Sequence, residues 1–334
     1  MNKFGSTDLN INPLGFGGIP IQRISPKQTV EVIAKAKDLG VNFIDSAQGY
    51  TDSEEKIGQA IKNHKDYWVL ASKAPAKDEK SMEEAIYQSL KNFGRDYIDL
   101  YQMHLVSSED DLKERLNPES GAIKALLKAQ KNGYIGHIGI TGHRPEILAK
   151  AIDIYPFVSV QAPYNFLETQ SEDLLVKAAN KGVATIIMKP MAGGALASPT
   201  ASIKYILQKD FVTVAIPGME SVEQVVENVT AANNLEMTNE EKDGMEKDIH
   251  ELQHNFCRRC EYCQPCPQGI KIHSCFIFHG YHKRYGLKDW ALPRYKTLPT
   301  PASACTECGL CETKCPYELP IREMLKEVAC DFEN

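Results

Sequence analysis

The chain has 334 residues, of which 43% are hydrophobic and 25% are charged, and its formal net charge at pH 7 is −6. This composition is typical of a soluble globular protein, and the lack of a basic excess argues against nucleic acid as a partner. The chain starts without the features of a signal or transit peptide, and no apolar run approaches the about 18 residues of a membrane span. We therefore expect a cytoplasmic protein with no nucleic-acid and no membrane partner.

Strand-like and helix-like segments alternate over the first two thirds of the chain. The strand-like runs are INPLGFGG, NFIDSA, YWVLASKA, YIDLYQMH, HIGITGH, VSVQAPY, VATIIMKP and VTVAIPG. Segments between them, such as SMEEAIYQSLKNFG, begin with Ser, carry apolar residues at helical spacing and close on Gly. Eight such units in about 230 residues predict an α/β fold, a closed (β/α)8 TIM barrel. A doubly wound sheet is the alternative, but no GxGxxG motif follows an early strand.

Four polar residues lie where the predicted strands end, which is where active sites of such barrels are found. They are Asp45 and Tyr50 in FIDSAQGY, Lys73 at the end of WVLASK and His104 at the end of YIDLYQMH. Singly, each has an ordinary structural interpretation as an ion-paired group or a buried histidine. Together, in type and order, they resemble the catalytic tetrad of the aldo-keto reductases. The resemblance extends over residues 3–234 through FGSTDLNINPLGFGG, GVNFIDSAQGY, VQAPYNFLE and IPGMESVEQVVENV.

The four residue types suit the reduction of an aldehyde or ketone by hydride transfer, or the oxidation of the alcohol. Tyr50 would donate a proton to the nascent alkoxide, and the Lys73 ammonium would lower the pKa of its phenol, which is near 10 without a neighbour. Asp45 would keep the buried ammonium charged. His104 would orient the carbonyl as a neutral donor. In related enzymes that reduce carbon–carbon double bonds an acid replaces this histidine, so the resemblance implies carbonyl reduction.

The resemblance also implies an NADH or NADPH site across the barrel mouth. Gln161 matches the carboxamide-binding glutamine, whereas the usual Ser-Asn pair is here Thr141-Gly142 and the usual stacking tyrosine is replaced near Met188. Around the last strand no cation is available locally, and Glu220 and Glu223 would repel a 2′-phosphate, which favours NADH unless a lysine from elsewhere in the chain reaches this place. The two glutamates also suit the stabilisation of a helix N-terminus, which is compatible with either cofactor. The predicted nucleotide contacts are Gly17, Gly18, Thr141, Gly142, Gln161, Met188, Pro190, Ile216, Gly218, Gln224, Glu227 and Asn228.

All ten cysteines fall in the last quarter of the chain. Eight of them form one CxxCxxCxxCP run and one CxxCxxCxxxCP run, and the second is the bacterial ferredoxin pattern, whose fourth cysteine binds the other cluster. We therefore predict two [4Fe-4S] clusters, in preference to zinc, since each loop offers three closely spaced thiolates plus one before a proline. One cluster would be held by Cys257, Cys260, Cys263 and Cys315, and the other by Cys305, Cys308, Cys311 and Cys266.

The cysteine-rich part resembles the α-helical ferredoxins, since 38 residues separate its two runs. We predict a barrel at 1–236, a connecting helix at 237–256 and a small α-helical ferredoxin-like domain at 257–334. The two remaining cysteines, Cys275 and Cys330, are expected to be buried thiols on helices. The link between the runs is basic, which suits docking of an acidic ferredoxin but also suits cations that offset cluster charge or face water.

Three functions remain open from the sequence. The first is an NAD(P)H-dependent carbonyl reductase whose clusters are structural or oxygen-sensing. The second is an enzyme that exchanges electrons with a ferredoxin or flavoprotein, for which a flavin is possible but unsupported by any motif. The third is a redox-sensing regulatory subunit, against which the intact tetrad argues. The identity of the carbonyl substrate has no signature in the sequence.

Overall fold

The computed structural model describes residues 1–333, except for the side chain of Tyr285. The chain divides into two compact units, Met1–Gly193 with Ser198–Lys242, and Gly194–Ala197 with Asp243–Asn334. The strands are β1 (Asn2–Lys3), β2 (Asn10–Ile11), β3 (Phe16–Gly17), β4 (Phe43–Asp45), β5 (Val69–Ala74), β6 (Ile98–Met103), β7 (Ile135–Thr141), β8 (Ser159–Pro163), β9 (Ala184–Met188) and β10 (Val214–Ala215).

The helices follow the strands of the first unit and make up the regular structure of the second. They are α1 (Pro26–Asp38), α2 (Ser53–Ile61), α3 (Glu79–Phe93), α4 (Glu109–Arg115), α5 (Ala122–Lys131), α6 (Pro145–Ile154), α7 (Glu172–Asn180), α8 (Pro199–Leu207), α9 (Val222–Asn233), α10 (Asn239–Leu252), α11 (Ile272–Tyr285), α12 (Lys288–Tyr295), α13 (Leu310–Thr313) and α14 (Ile321–Glu333). Within the described residues, no helix is both long and apolar enough to cross a bilayer.

The eight strands β3 to β10 pair in sequence order as a parallel sheet. Parallel bridges between Leu14 and Ala215 and between Gly17 and Gly218 join its first and last strands. At this seam a Cβ atom on Gly17 would lie 2.7 Å from the Ile216 carbonyl oxygen, so only glycine allows the two backbones to approach. The sheet is therefore closed, and the predicted (β/α)8 barrel is confirmed.

Apolar side chains fill the amino-terminal end of the barrel. The hairpin of β1 and β2 contributes Phe4 and Ile11, both fully buried, which pack with Phe43, Leu100 and Val214 from the early residues of three strands. A second apolar core lies between the outer face of the strands and the helices. This packing closes the amino-terminal end of the barrel.

Two helices do not begin with the serine cap that their sequences indicate. Helix α3 begins two residues before Ser81, and the Asp78 carboxylate accepts the Ser81 backbone N–H at 3.0 Å. Ser171 precedes α7 but makes no side-chain capping bond. An ionised carboxylate is the stronger acceptor for an N-terminal amide, so Asp78 and not Ser81 sets the start of α3.

Helices make up the regular structure of the second unit as described, around a small apolar core of its own. Fully buried members include Ile270, Cys275, Ala291 and Val328. The first cysteine run lies in the irregular segment before α11, and the second begins before α13 and ends just after it. The predicted α-helical domain is confirmed. Cys275 is a buried thiol on α11 as expected, but Cys330 on α14 is exposed, so the prediction of burial is wrong for Cys330.

Candidate functional site

Four polar residues of the barrel meet at the carboxyl ends of neighbouring strands. Asp45 is the last residue of β4, Lys73 lies near the end of β5, and His104 directly follows β6. Tyr50 lies in the loop that leaves β4. Parallel pairing of β4, β5 and β6 sets these strand ends side by side at one edge of the sheet.

Lys73 and Asp45 form a buried ion pair. The Lys73 Nζ atom donates to Asp45 Oδ2 at 2.5 Å and to the Ser46 carbonyl oxygen at 2.8 Å. Lys73 is 1% exposed and Asp45 is 2% exposed. Desolvation of two charges is compensated only where geometry is good and further hydrogen bonds are made, and both conditions hold here.

The aromatic rings of the site surround this pair. The Lys73 Nζ atom lies 5.2 Å from the centroid of the Tyr50 ring. The Tyr50 and His104 rings meet edge to face, with centroids 6.2 Å apart and planes at 88°. The structure therefore brings together all four residues that the sequence analysis singles out as a set.

The pKa of Tyr50 is raised, first by burial and then by the nearby Asp45 carboxylate. This direction is opposite to the one expected from a neighbouring ammonium. The reason is that Asp45 offsets the charge of Lys73, so that burial of the phenolate decides the shift. Tyr50 consequently keeps its O–H at neutral pH and can act as a hydrogen-bond donor.

The pKa of His104 is lowered to about 3 by burial, with further contributions from the Lys73 and Arg115 cations. Arg115 is itself buried and donates through Nε to Asp111 at 2.7 Å. A histidine with this pKa stays neutral throughout the physiological range. It can therefore present one ring N–H to an oxygen acceptor without carrying a charge.

Gln102, which the sequence analysis does not single out, connects the ion pair to Gln161. Its Nε2 atom donates to Asp45 Oδ1 at 3.1 Å and to Gln161 Oε1 at 3.0 Å. Gln161 Nε2 in turn donates to Asp45 Oδ2 at 3.4 Å. A glutamine in the otherwise apolar stretch IDLYQM of a buried strand is the signal that could have identified Gln102.

Two buried polar atoms beside this network have no hydrogen-bond partner among the described residues, Gln102 Oε1 and Thr141 Oγ1. One is an acceptor and the other can donate, which is the complement of a carboxamide group. Thr141 ends β7, and a Cβ atom on the following Gly142 would lie 2.6 Å from the Val106 carbonyl oxygen. The residues present thus fit the nicotinamide end of a dinucleotide, and Gln161 lies next to them on β8.

The other predicted nucleotide contacts lie at the same rim of the barrel. Gly17 and Gly18 end β3, Met188 ends β9, and Pro190, Ile216 and Gly218 follow β9 and β10. On α9, Asn228 is buried and Glu227 is exposed. The Gln224 side chain accepts the Glu220 backbone N–H at 2.8 Å, so it is engaged in holding the start of α9.

A cation from a distant part of the chain lies beside the start of α9. Arg23, in the turn that follows β3, pairs through Nε with Glu220 Oε2 at 2.9 Å. Residues 218–224 themselves contain no cation, and barrel closure, which sets β3 next to β10, brings Arg23 to this position. The Glu220 carboxylate is therefore already engaged with a cation.

The cysteines of the second unit form two neighbouring groups. Besides burial, the nearby thiols of Cys260 and Cys315 raise the pKa of Cys257. The pKa of Cys263 is raised by burial and by the nearby thiols of Cys257, Cys260, Cys311 and Cys315. A cavity is lined by the four cysteines of the other predicted set and also by Cys263 of the first set: Cys263, Cys266, Cys305, Cys308 and Cys311. This arrangement fits the crossed assignment, in which the last cysteine of each run joins the other group.

Two further observations concern these cysteines: the burial of their thiols, and whether they could bind a single metal ion. Burial and the neighbouring thiols raise the pKa of Cys263 to about 12, which indicates that negative charge would be crowded there without bound metal. In the part of the chain that the structure describes, no three His, Cys, Asp or Glu side chains converge on one metal-ion position.

Comparison with known proteins gives two family matches. The model of the aldo/keto reductase family matches residues 13–200, and that of a 4Fe-4S dicluster domain matches residues 256–320. The uncharacterized oxidoreductase YqkF of Bacillus subtilis is 25% identical over 72% of this chain and 93% of its own length. Pyridoxine 4-dehydrogenase of Escherichia coli is 24% identical over 72% of this chain and 95% of its own length.

Solved structures show the same fold. The holo form of aldo-keto reductase AKR11C1 from Bacillus halodurans has a TM-score of 0.64 and 24% identity, and covers 73% of this chain and 94% of that one. An aldo-keto reductase from Klebsiella pneumoniae in complex with NADPH has a TM-score of 0.63 and 22% identity, with coverage of 74% and 94%. At these identities the likeness concerns the barrel fold alone.

Replacing Lys73 by Met should destabilise the barrel by about 3–5 kcal/mol, because the Asp45 carboxylate would remain buried without its counter-ion. Lys77→Met is the matched control, since Lys77 is half exposed, its partner Glu114 is exposed, and its buried partner Asp111 keeps Arg115 as a counter-ion. Its loss should cost at most about 1 kcal/mol. Urea unfolding of both variants measures the difference, and equal losses would contradict the account of the buried pair.

His104 should make stability depend on pH. Its pKa is about 3 in the folded chain and about 6.5 when unfolded, so the unfolded chain takes up a proton first as the pH falls. Between pH 7 and pH 5 this linkage should remove about 2 kcal/mol of stability. His104→Gln should lack this component in urea unfolding at the two pH values, and an unchanged pH dependence would show that His104 is not held neutral.

Proposed function

Because the chain belongs to the aldo/keto reductase family, we propose that its barrel reduces an aldehyde or ketone, or oxidises the corresponding alcohol, with NADH or NADPH. The supporting observation is the convergence of Asp45, Tyr50, Lys73 and His104 at the carboxyl-terminal end of the barrel. The neighbouring pair of unpartnered polar atoms, Gln102 Oε1 and Thr141 Oγ1, supports a nicotinamide beside them.

Tyr50 is the proposed proton donor. When bound, the nicotinamide cofactor supplies a hydride to the carbonyl carbon. The Tyr50 O–H hydrogen-bonds the carbonyl oxygen and transfers its proton as negative charge develops there. Burial raises the pKa of Tyr50, but an alkoxide is a base comparable to hydroxide, whose conjugate acid has a pKa of about 16, so the transfer remains favourable.

Lys73 acts on the phenol oxygen of Tyr50, and His104 acts on the carbonyl oxygen of the substrate. The Lys73 ammonium faces the Tyr50 ring and stabilises the phenolate that remains after proton transfer. Asp45 and the Ser46 carbonyl hold that ammonium in place. The neutral His104 donates to the carbonyl oxygen, where negative charge appears during the reaction.

Cofactor preference follows from the Arg23–Glu220 pair. A 2′-phosphate near the start of α9 would have to displace the Glu220 carboxylate from Arg23, whereas NADH leaves the pair intact. Glu223, on the first turn of α9, adds negative charge to the same end of the helix. We therefore propose NADH as the preferred cofactor, with Arg23 as the residue through which NADPH could be accommodated.

The iron–sulfur domain, proposed to span residues 257–334, is assigned two [4Fe-4S] clusters. The grouping of Cys257, Cys260, Cys263 and Cys315, and of the other four cysteines around one cavity, supports this assignment. Such clusters carry single electrons, whereas a nicotinamide delivers two as hydride, so we propose an external one-electron carrier, a ferredoxin or flavoprotein, as partner of this domain. The exposed Cys308 leaves one cluster close to the protein surface.

Some of the cations between the two cysteine runs are engaged in contacts within the protein, so only the others could face a docked partner. Lys283 pairs with Asp331 at 2.8 Å, and the Arg294 guanidinium stacks over the Trp290 ring at 3.9 Å. Lys271, Lys288 and Lys296 are exposed. Three exposed lysines are compatible with an acidic partner, and with solvated charge alone.

Tyr50→Phe should reduce carbonyl-dependent oxidation of NADH by at least about a hundredfold, because the proton donor is lost while the ring is kept. Nucleotide binding, followed by fluorescence, and the visible absorption of the clusters should be unchanged. Tyr67→Phe is the matched control, since the Tyr67 hydroxyl donates only to the Lys37 carbonyl oxygen at the outside of the barrel. Assays are made anaerobically with a panel of aldehydes and ketones.

Turnover retained by Tyr50→Phe would refute the assigned donor. Wild-type protein that fails with every carbonyl tested but oxidises NADH with one-electron carriers would show that the barrel serves the iron–sulfur domain instead.

Glu220→Gln should shift the ratio of kcat/KM for NADPH to that for NADH roughly tenfold towards NADPH, because Arg23 becomes available to the 2′-phosphate. The control is Glu223→Gln, which removes the same charge from the same helix end but not the partner of Arg23. The double variant Arg23→Gln/Glu220→Gln should lose the gain. A ratio unaffected by Glu220→Gln would place the 2′-phosphate elsewhere.

A further inference from the structure

The side chain of Gln102 connects the ion pair inside the barrel to Gln161. It belongs to β6 and is fully buried, at 0% exposure. Its Nε2 atom donates to Asp45 Oδ1 at 3.1 Å and to Gln161 Oε1 at 3.0 Å. A primary amide has two N–H groups, so both of those of Gln102 are used in these two bonds.

The Asp45 carboxylate determines which way round the Gln102 amide lies. An ionised carboxylate only accepts hydrogen bonds, so it must face the Nε2 atom of Gln102 and not the Oε1 atom. In the opposite orientation two buried oxygens would be in contact, and both would lose water without gaining a hydrogen bond. The charge of Asp45, which is held in place by Lys73, therefore fixes the orientation of Gln102.

The orientation of the Gln161 amide follows from that of Gln102. Because Gln102 faces it with an N–H group, Gln161 must turn its oxygen towards Gln102. The Gln161 Nε2 atom then makes one long bond to Asp45 Oδ2, at 3.4 Å. Its second N–H group makes no hydrogen bond with the described residues of the chain. Gln161 thus keeps an N–H group for a ligand.

We propose that Gln102 is a positioning residue for the nicotinamide and acts through Gln161. It holds the Gln161 amide so that an N–H group, and not the oxygen, meets the carboxamide oxygen of the nicotinamide. The carboxamide is thereby bound in one of its two orientations. This inference rests on the proposed function, in which a nicotinamide binds beside Gln161 and Thr141.

The test compares the binding of NADH with that of its thionicotinamide analogue, in which sulfur replaces the carboxamide oxygen and the NH2 group is kept. Sulfur is a weak hydrogen-bond acceptor. Wild-type protein should therefore bind NADH roughly tenfold more tightly than the analogue, which is the effect of one hydrogen bond. The dissociation constants are measured with the complete protein by isothermal titration calorimetry under anaerobic conditions, without turnover.

Gln102→Glu changes the group that faces Gln161 and keeps the shape of the side chain. A carboxyl group buried beside Asp45 stays protonated, and its single O–H donates to the charged carboxylate, which is the stronger acceptor. Gln161 then meets an oxygen, turns its Nε2 atom towards it and presents its own oxygen to the ligand. Both nucleotides can meet that oxygen with their NH2 group. The preference for NADH over the analogue should therefore fall roughly tenfold.

Gln102→Met is a second variant, which removes both hydrogen bonds without adding a polar group. The Gln161 amide is then free to adopt either orientation, so the preference for NADH should fall at least about threefold. Gln130→Glu is the matched control. It makes the same chemical change in an exposed side chain, whose Nε2 atom donates to the Gly136 carbonyl oxygen at 2.7 Å, and should keep the wild-type preference.

The ratio of the two dissociation constants separates positioning from a merely structural role. If both folded Gln102 variants bind the two nucleotides more weakly by the same factor, so that the ratio stays at the wild-type value, the role of Gln102 is overturned and the nicotinamide site stands. Wild-type protein that binds neither nucleotide would overturn the proposed nicotinamide site itself, and with it this inference.

Discussion

The ion pair of Lys73 and Asp45 is the interaction on which the barrel end depends. Both charges lie almost out of reach of water, and they are tolerated because each is matched by the other and by further hydrogen bonds from Gln102, Gln161 and the Ser46 carbonyl. The two neighbouring groups respond first to burial and then to the charges of this pair. Burial and the Lys73 charge lower the pKa of His104, which stays neutral, while burial and the Asp45 charge raise the pKa of Tyr50, which stays protonated.

Because Tyr50 is protonated in the resting protein, the role of Lys73 differs from the one that the sequence suggests. An ammonium next to a phenol is expected to make the phenol more acidic, but a neutralised ammonium in a buried site leaves desolvation as the larger effect. The proposed contribution of Lys73 then belongs to the moment of proton transfer, when a phenolate forms in front of it, and not to the resting protein. Electrostatic groups that are already in place before charge develops are the ones that lower a barrier most.

From the sequence alone came the eight strands, the aldo/keto reductase family, the cysteine runs and the four polar residues at strand ends, because strand periodicity, motif spacing and residue order are local properties. The crossed grouping of the cysteines is a prediction from their spacing and stays one. What only the tertiary structure decided were relations between residues far apart in the chain. Closure of the barrel brings Arg23 to Glu220, inward pointing on β6 joins Gln102 to the ion pair, and packing exposes Cys330. The tertiary structure also decided the direction of the Tyr50 pKa shift. This direction depends on how burial and two opposite charges are arranged around the phenol in space, and the order of residues in the chain does not give that arrangement.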